Sequence, residues 1–161
     1  MFVRAASLCV SLGCGAAFSQ FPEFSQQYIQ RLGGAVDELA IVVRDFDASA
    51  KAEGLSRDQA LEQLVGTGFL ERRRTDMIRS FDRFEKLSSD LFHLETANQF
   101  QRVFQLSRFT DRDIARRAWA VFVPAVPLSL AGISFALAGF AAAMLSIITA
   151  RRFWRAARAP T

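Results

Sequence analysis

Hydrophobic and polar positions are segregated along this chain on a large scale before they alternate on a small one. Residues 5–18 carry no charge, and neither do residues 118–150. Between these stretches the apolar residues return at helical spacing. In residues 24–46 they fall at Tyr28, Leu32, Ala35, Leu39, Val42 and Phe46, steps of 4, 3, 4, 3 and 4 that predict an amphipathic helix with a heptad seam. Gly33-Gly34 interrupts that seam at a cost of roughly 1 kcal/mol per glycine, which predicts either a bend or the close approach of another backbone. Gly54 is expected to close the helix. Ser56-Arg57-Asp58-Gln59 has the form of a capping box and predicts a short helix to about Val65. After the turn Gly66-Thr67-Gly68, a long helix is expected from about Glu71 to Leu106. Met77, Phe81, Phe84, Leu87, Leu91 and Leu94 line one side of it. Thr110-Asp111 can cap a last amphipathic segment, residues 113–119, that runs into the second apolar stretch. Few runs are rich in β-branched residues, so a sheet is rejected.

The apolar stretches change the solvent in which this pattern is read. Residues 128–150 are uncharged, and as a helix at about 1.5 Å per residue they reach roughly 34 Å, enough to span a bilayer with some tilt. The stretch ends in Arg151-Arg152-Phe153-Trp154-Arg155, a basic stop with interfacial aromatics, which the positive-inside rule places in the cytoplasm. Trp119 and Phe122 stand at the opposite mouth, and Pro124 and Pro127 fit a kink or a fresh helix start there. The first stretch, residues 2–18, has two readings. Ala17-Phe18-Ser19 ahead of Gln20 has the look of a cleavable secretory signal, but a retained anchor is the reading adopted. Ser7, Ser11, Gly15 and Ser19 recur every four residues on it, and Gly132, Ala136, Gly139 and Ala143 form a similar small stripe on the second. Small residues let membrane helices approach closely, so the two faces are expected to pack together or on a partner.

The expected fold is therefore an all-α membrane protein with two transmembrane helices, one at each end. Between them lies an antiparallel helical, coiled-coil-like extramembrane domain, its short helix tucked between two long ones. The expected divisions are a first anchor over 1–19, a periplasmic helical domain over 20–117, a second transmembrane helix over 118–150 with its start marked by proline, and a cytoplasmic basic tail over 151–161. Both termini face the cytoplasm.

Charge sharpens this. All 16 acidic residues lie between Glu23 and Asp113. Five of the 20 basic ones, Arg4, Arg151, Arg152, Arg155 and Arg158, flank the apolar ends, which leaves 15 against 16 in the middle. The pI near 9.8 therefore describes the flanks and not a basic domain, and nucleic acid is excluded as a partner. Cys9 and Cys14 both fall in the first apolar stretch, where they read as small packing residues. His93 is the single histidine, so neither a zinc site nor a triad is expected. Gly66 and Gly68 lack the lysine and the strand of a phosphate loop. No catalytic residue, cofactor or metal is expected, and the chain is not read as an enzyme. The 16 phenylalanines are divided between bilayer edges and helix cores, with core packing preferred to a lipid- or quinone-binding groove. Arg72, Arg73 and Arg74 are a solvated run or a contact for lipid headgroups.

Gln20-Phe21-Pro22-Glu23-Phe24, then Gln26-Gln27-Tyr28, Gln30-Arg31-Leu32-Gly33-Gly34-Ala35 and Asp37-Glu38-Leu39, together with Pro124-Ala125-Val126-Pro127-Leu128, carry a resemblance. They resemble an uncharacterised family of small bacterial inner-membrane proteins, known as a domain of unknown function. The resemblance implies a bacterial inner-membrane location and carries over no activity or site. The polar residues around the glycine pair, Gln26, Gln27, Gln30, Arg31, Gly33, Gly34, Asp37 and Glu38, are the candidate interaction surface. Two functions compete. One is a non-enzymatic accessory or scaffold subunit of a larger membrane assembly, or a homo-oligomer, whose partners are the lipid bilayer and other membrane subunits or itself. The other is a lipid- or envelope-binding module using the Phe-rich helices and the basic run.

Overall fold

The computed structural model describes residues 2–124 and 129–157. Pro127 and Arg158 lie outside the described residues, as do the side chain of Arg155 and the second family motif beyond Pro124. All regular structure among the described residues is helical: α1 Phe2–Ser19, α2 Phe21–Ala52, α3 Arg57–Glu62, α4 Gly68–Thr96, a 3₁₀ segment Gln101–Arg108, α5 Arg112–Ala120 and α6 Leu130–Ala157. The chain forms two compact units. A terminal unit is drawn from Met1–Gln27 and Trp119–Thr161, and a central unit is Tyr28–Ala118.

In the terminal unit α1 and α6 pack antiparallel. Arg151 donates to the Ser7 hydroxyl at one end, and Phe21 meets Phe135 at 5.7 Å at the other. The contact runs along small residues. Ser7, Ser11, Gly15 and Ser19 of α1 are all buried, and so are Gly132 and Gly139 of α6, with Ala136 and Ala143 half-buried. A Cβ added to Gly15 would lie 2.8 Å from the Ala136 carbonyl oxygen, and one added to Gly139 would lie 2.8 Å from the Phe18 Cβ. These glycines let the backbones meet. Large apolar side chains point the other way: Leu8, Val10 and Leu12 on α1 and Leu130, Leu137 and Leu145 on α6 are exposed. Ser134, Ser146 and Thr149 donate back to the carbonyls of Leu130, Ala142 and Leu145, so α6 satisfies its own hydroxyls.

The second apolar stretch differs from expectation at both ends. α5 stops at Ala120 and residues 122–124 are not helical, so no single helix covers 118–150. The Ser129 hydroxyl accepts from the Gly132 amide and starts α6 afresh. α6 then continues through Arg151 and Arg152 to Ala157, where a basic tail was expected, because nothing in Arg-Arg-Phe-Trp breaks a helix. One helix among the described residues, Leu130–Trp154, is long and apolar enough to cross a membrane.

In the central unit α2 runs unbroken through Gly33-Gly34. No atom lies within 4 Å of a Cβ built on either, so the pair neither interrupts the helix nor admits a backbone. Gly54 does end it. With φ +71° it closes a Schellman turn in which the Leu55 amide donates to the Ala50 carbonyl and the Gly54 amide to Lys51. The buried seam keeps the expected Tyr28, Leu32, Leu39 and Phe46 and takes a neighbour at the alternate positions. Ile29, Val36 and Val43 are buried where Ala35 is half-buried and Val42 exposed, and the seam runs Ile29, Leu32, Val36, Leu39, Val43, Phe46, Ala50. The stepping is 3 and 4 in the opposite phase. It places branched side chains where the other phase offers an alanine, and that is the larger apolar burial.

The capping box of α3 is present, with Ser56 accepting from Gln59 and Gln59 from Ser56, although α3 ends at Glu62 rather than near Val65. α4 buries Met77, Leu87 and Leu94, with Phe81, Phe84 and Leu91 half-buried, the stripe read from sequence. It stops at Thr96, ten residues before the expected end. Ala97 turns extended, and the Asn98 side chain accepts from the amides of Phe100 and Gln101, opening the 3₁₀ segment. Phe46 meets Phe81 edge-on at 5.2 Å and Tyr28 meets Phe109 at 4.6 Å, so α2 lies antiparallel to α4, with its start beside the end of the 3₁₀ segment. The backbones of α2 and α4 do not sustain the close approach of a coiled coil, because rings rather than small knobs fill the space between them.

Candidate functional site

One cleft of the central unit, of about 600 Å³, sets polar side chains from three helices around an apolar floor. α2 contributes Arg31, Gly34, Ala35, Glu38 and Leu39, which share one face because they sit at i, i+3, i+4, i+7 and i+8. α4 contributes Arg83, and α5 contributes Asp113, Ile114 and Arg117. Gly34 leaves its side of α2 open, with nothing within 4 Å of where a side chain would start.

Two features hold the α5 wall in place. The Asp111 carboxylate accepts from the amides of Asp113 and Ile114 at 3.0 Å each, which caps α5, and Arg83 donates to its other oxygen at 2.8 Å. Burial pushes the Asp111 carboxyl up, but the Ile114 amide, Arg83 and the Asp113 amide together outweigh it and hold it below the ordinary carboxylate range. Tyr28 is fully buried, and its hydroxyl accepts from the Asp111 amide at 3.3 Å. Burial raises its phenol above the ordinary tyrosine value.

The carboxyl with the least solvent around it is Asp90, 3% exposed, on the buried stripe of α4. Arg108 donates to one oxygen at 3.2 Å and Thr110 to the other at 2.9 Å. Nearby, the buried Arg102 donates to the Leu94 carbonyl at 3.2 Å, occupying an acceptor that the end of α4 leaves open. Both arrangements fasten the 3₁₀ segment to α4. Arg108 and Thr110 give each carboxylate oxygen of Asp90 a donor from within the chain, which makes Asp90 a strut between α4 and the residues that follow it.

All eight residues of the candidate interaction surface lie on α2. Gln26 and Gln27 belong to the terminal unit, while Gln30, Arg31, Gly33, Gly34, Asp37 and Glu38 belong to the central one. Of the latter, Arg31, Gly34 and Glu38 line the cleft and Gln30, Gly33 and Asp37 do not. Sequence reasoning missed Arg83, Asp113, Ile114 and Arg117, which arrive from helices distant along the chain. The signal for part of them was available, since Asp113, Ile114 and Arg117 share one turn after the Asp111 cap. Arg74 lines a separate cleft of about 740 Å³ between α3 and α4, away from Arg72 and Arg73.

The terminal unit has its own pocket of about 480 Å³, lined by Ala17, Gln20, Phe21, Phe24, Trp119, Phe122 and Pro124. Phe24 meets Trp119 and Phe122 edge-on at 5.9 and 6.0 Å, and the Trp119 and Phe122 rings stack at 5.8 Å. The rings fill one another's faces, leaving an apolar wall rather than a cage. Among the described residues no group of three His, Cys, Asp or Glu is placed to hold a metal ion.

A family model described as a protein of unknown function, DUF2937, matches residues 2–159. No curated protein and no solved structure matches the chain.

Proposed function

We propose that this chain, which belongs to the DUF2937 family of proteins of unknown function, is a non-enzymatic integral protein of a bacterial inner membrane. In this reading α1 and α6 cross the bilayer as a pair, both termini face the cytoplasm, and the central unit stands in the periplasm. It acts there as an accessory or scaffold subunit of a larger membrane assembly, or as a homo-oligomer.

The observation that carries the reading is the inside-out packing of α1 on α6. Water drives large apolar side chains into a core and leaves small and polar ones outside. Here serines and glycines are buried, and Leu8, Leu12, Leu137 and Leu145 face outward at 48–65% exposure. The span Leu130–Trp154 has a mean hydropathy of 2.1, yet only 17% of it is buried. The core helix of a water-soluble protein would be mostly covered. In hydrocarbon the preference reverses, because lipid tails are as apolar as leucine and helix contact rests on close backbone approach. α1, at roughly 27 Å, is near the lower limit for a span. Arg4 on α1 and Arg151 and Arg152 on α6 flank the same end of the antiparallel pair, which supports a cytoplasmic placement of that end.

The test is crosslinking in native membranes, with partners identified by mass spectrometry, joined to labelling of a single cysteine at Ala60 in a Cys9→Ala, Cys14→Ala background. The expected result is labelling from the periplasmic side and stoichiometric recovery of a second subunit or a second copy. A chain that remains in the supernatant after cell breakage without detergent removes the membrane reading. A clean monomer in mild detergent, with no crosslinked neighbour, removes the scaffold reading.

A further inference from the structure

We infer that α2 is the surface on which two copies of this chain pair antiparallel, crossing over Gly34, with Arg31 of each copy set against Glu38 of the other. The inference rests on the homo-oligomer form of the reading above and names the residues that carry it.

α2 holds Gly33 and Gly34 inside a helix of 32 residues. Glycine costs a helix interior more than any residue but proline, and a helical glycine is repaid where another backbone comes close. Gly15 and Gly139 are repaid in this way, each with an atom of the facing helix 2.8 Å from the Cβ it lacks. Gly33 and Gly34 have nothing within 4 Å, and neither has a positive φ. Their own chain therefore makes no use of them.

Gly34 points directly away from the core. At about 100° per residue, Leu32, Val36 and Val43 of the buried seam lie within roughly 20° of the side opposite Gly34. Gln30, Arg31, Asp37, Glu38 and Ile41 lie within roughly 60° of Gly34 itself, and all five are exposed. Arg31, Asp37 and Glu38 form no ion pair among the described residues, so their charges are open to a partner.

The order of charge along this face selects both the occupant and its direction. Arg31 and Glu38 lean to one side of the Gly34 line, Gln30 and Asp37 to the other. A two-fold axis beside Gly34, perpendicular to the plane of the two helices, reverses the second copy and sets like sides against each other. Arg31 then faces the partner's Glu38 and Gln30 faces the partner's Asp37, and symmetry makes each contact twice. A parallel pair would instead bring Asp37 and Glu38 of both copies together, four acids with no base among them. The face is thus complementary to its own reverse, which commits it to a second copy.

The experiment oxidises full-length protein in native membranes, with Gly34→Cys in a Cys9→Ala, Cys14→Ala background. A covalent dimer is expected. Ala48→Cys, on the same face, would meet its mate in a parallel pair but lies roughly 42 Å from it in the antiparallel one, so it should remain monomeric. In mild detergent Gly34→Leu should weaken dimerisation by roughly tenfold, because the added side chain parts the two backbones. It raises helix propensity and its Cβ meets no atom of its own chain, so the variant folds. Arg31→Glu should weaken the dimer by roughly tenfold as well, and Arg31→Glu with Glu38→Arg should restore it. A Gly34→Cys chain that does not crosslink to itself, an Ala48→Cys chain that does, or a charge-swapped double variant as weak as Arg31→Glu overturns this surface. A wild-type dimer that persists alongside any of these results leaves the homo-oligomer reading standing on another face. Stoichiometric recovery of a different subunit without a second copy overturns self-pairing and leaves the scaffold reading intact.

Discussion

Adding one methyl group at Gly15 tests whether α1 and α6 are held by backbone proximity. The new Cβ would lie 2.8 Å from the Ala136 carbonyl oxygen and 3.3 Å from the Phe140 Cβ. Carbon meets a carbonyl oxygen comfortably at roughly 3.3 Å or more. A helix carbonyl is fixed by its own hydrogen bond and cannot swing aside, so the two helices must part by about half an ångström. Overpacking of this kind costs about 1–3 kcal/mol. Alanine also favours a helix over glycine by about 1 kcal/mol, which works in the opposite direction. Gly13 separates the two effects, because no atom lies within 4 Å of a Cβ there. Gly13→Ala carries the propensity gain alone and Gly15→Ala carries gain and clash together, so the difference between the variants is the clash, about 1–3 kcal/mol. Both tryptophans, Trp119 and Trp154, belong to the terminal unit, so a fluorescence melt in detergent reads that unit. At roughly 4–8 °C per kcal/mol for a unit of this size, Gly15→Ala should melt several degrees below Gly13→Ala, with Gly13→Ala at or above wild type. Gly139→Ala, whose Cβ would meet the Phe18 Cβ at 2.8 Å, should behave like Gly15→Ala. Equal midpoints for the Gly13 and Gly15 variants would refute close packing of these helices.

Further measurements address the central unit. Asp90→Ala leaves Arg108 and Thr110 without their acceptor and should lower stability by about 1–3 kcal/mol in urea unfolding monitored by circular dichroism; an unchanged midpoint means the 3₁₀ segment is not fastened there. Asn98→Ala removes the acceptor for two amides and should cost about 1 kcal/mol, whereas a gain would show that α4 prefers to continue. The depressed Asp111 carboxyl contributes in full above its unfolded value of about 3.9, and that contribution fades as pH falls through its folded value. Asp111→Asn, which keeps the cap and deletes the charge, should flatten this acid limb of the stability curve. Tyr28 is the one tyrosine, so its absorbance titration is uncrowded. Its raised value predicts ionisation later than in the unfolded chain and a stability that is full below about pH 10 and lost as pH rises above it.

Local chemistry was legible where it closes over a few residues. The Ser56 capping box, the Gly54 terminus, the Asp111 cap and the small-residue repeat at Ser7, Ser11, Gly15 and Ser19 each needed only neighbours within about two turns. The seam of α2 was legible at Tyr28, Leu32, Leu39 and Phe46 but not at the positions between, because Val42 and Val43 are adjacent and equally apolar. The break after Thr96 went unread because asparagine two residues later looks like an ordinary polar residue until its side chain turns on Phe100 and Gln101.

What the sequence determined by itself is segregation: uncharged ends, a near-neutral helical middle, and small stripes on the first and last helices. Those features come from composition and from the 3.6-residue period. Tertiary structure alone decided that the small stripes face each other and that Arg83 of α4 and Arg117 of α5 join Arg31 in one cleft. It also decided that Asp90 is a buried strut. A period states which residues share a face of one helix. Only the packed chain states which face meets which, since that choice depends on volumes and charges contributed by residues scores of positions apart.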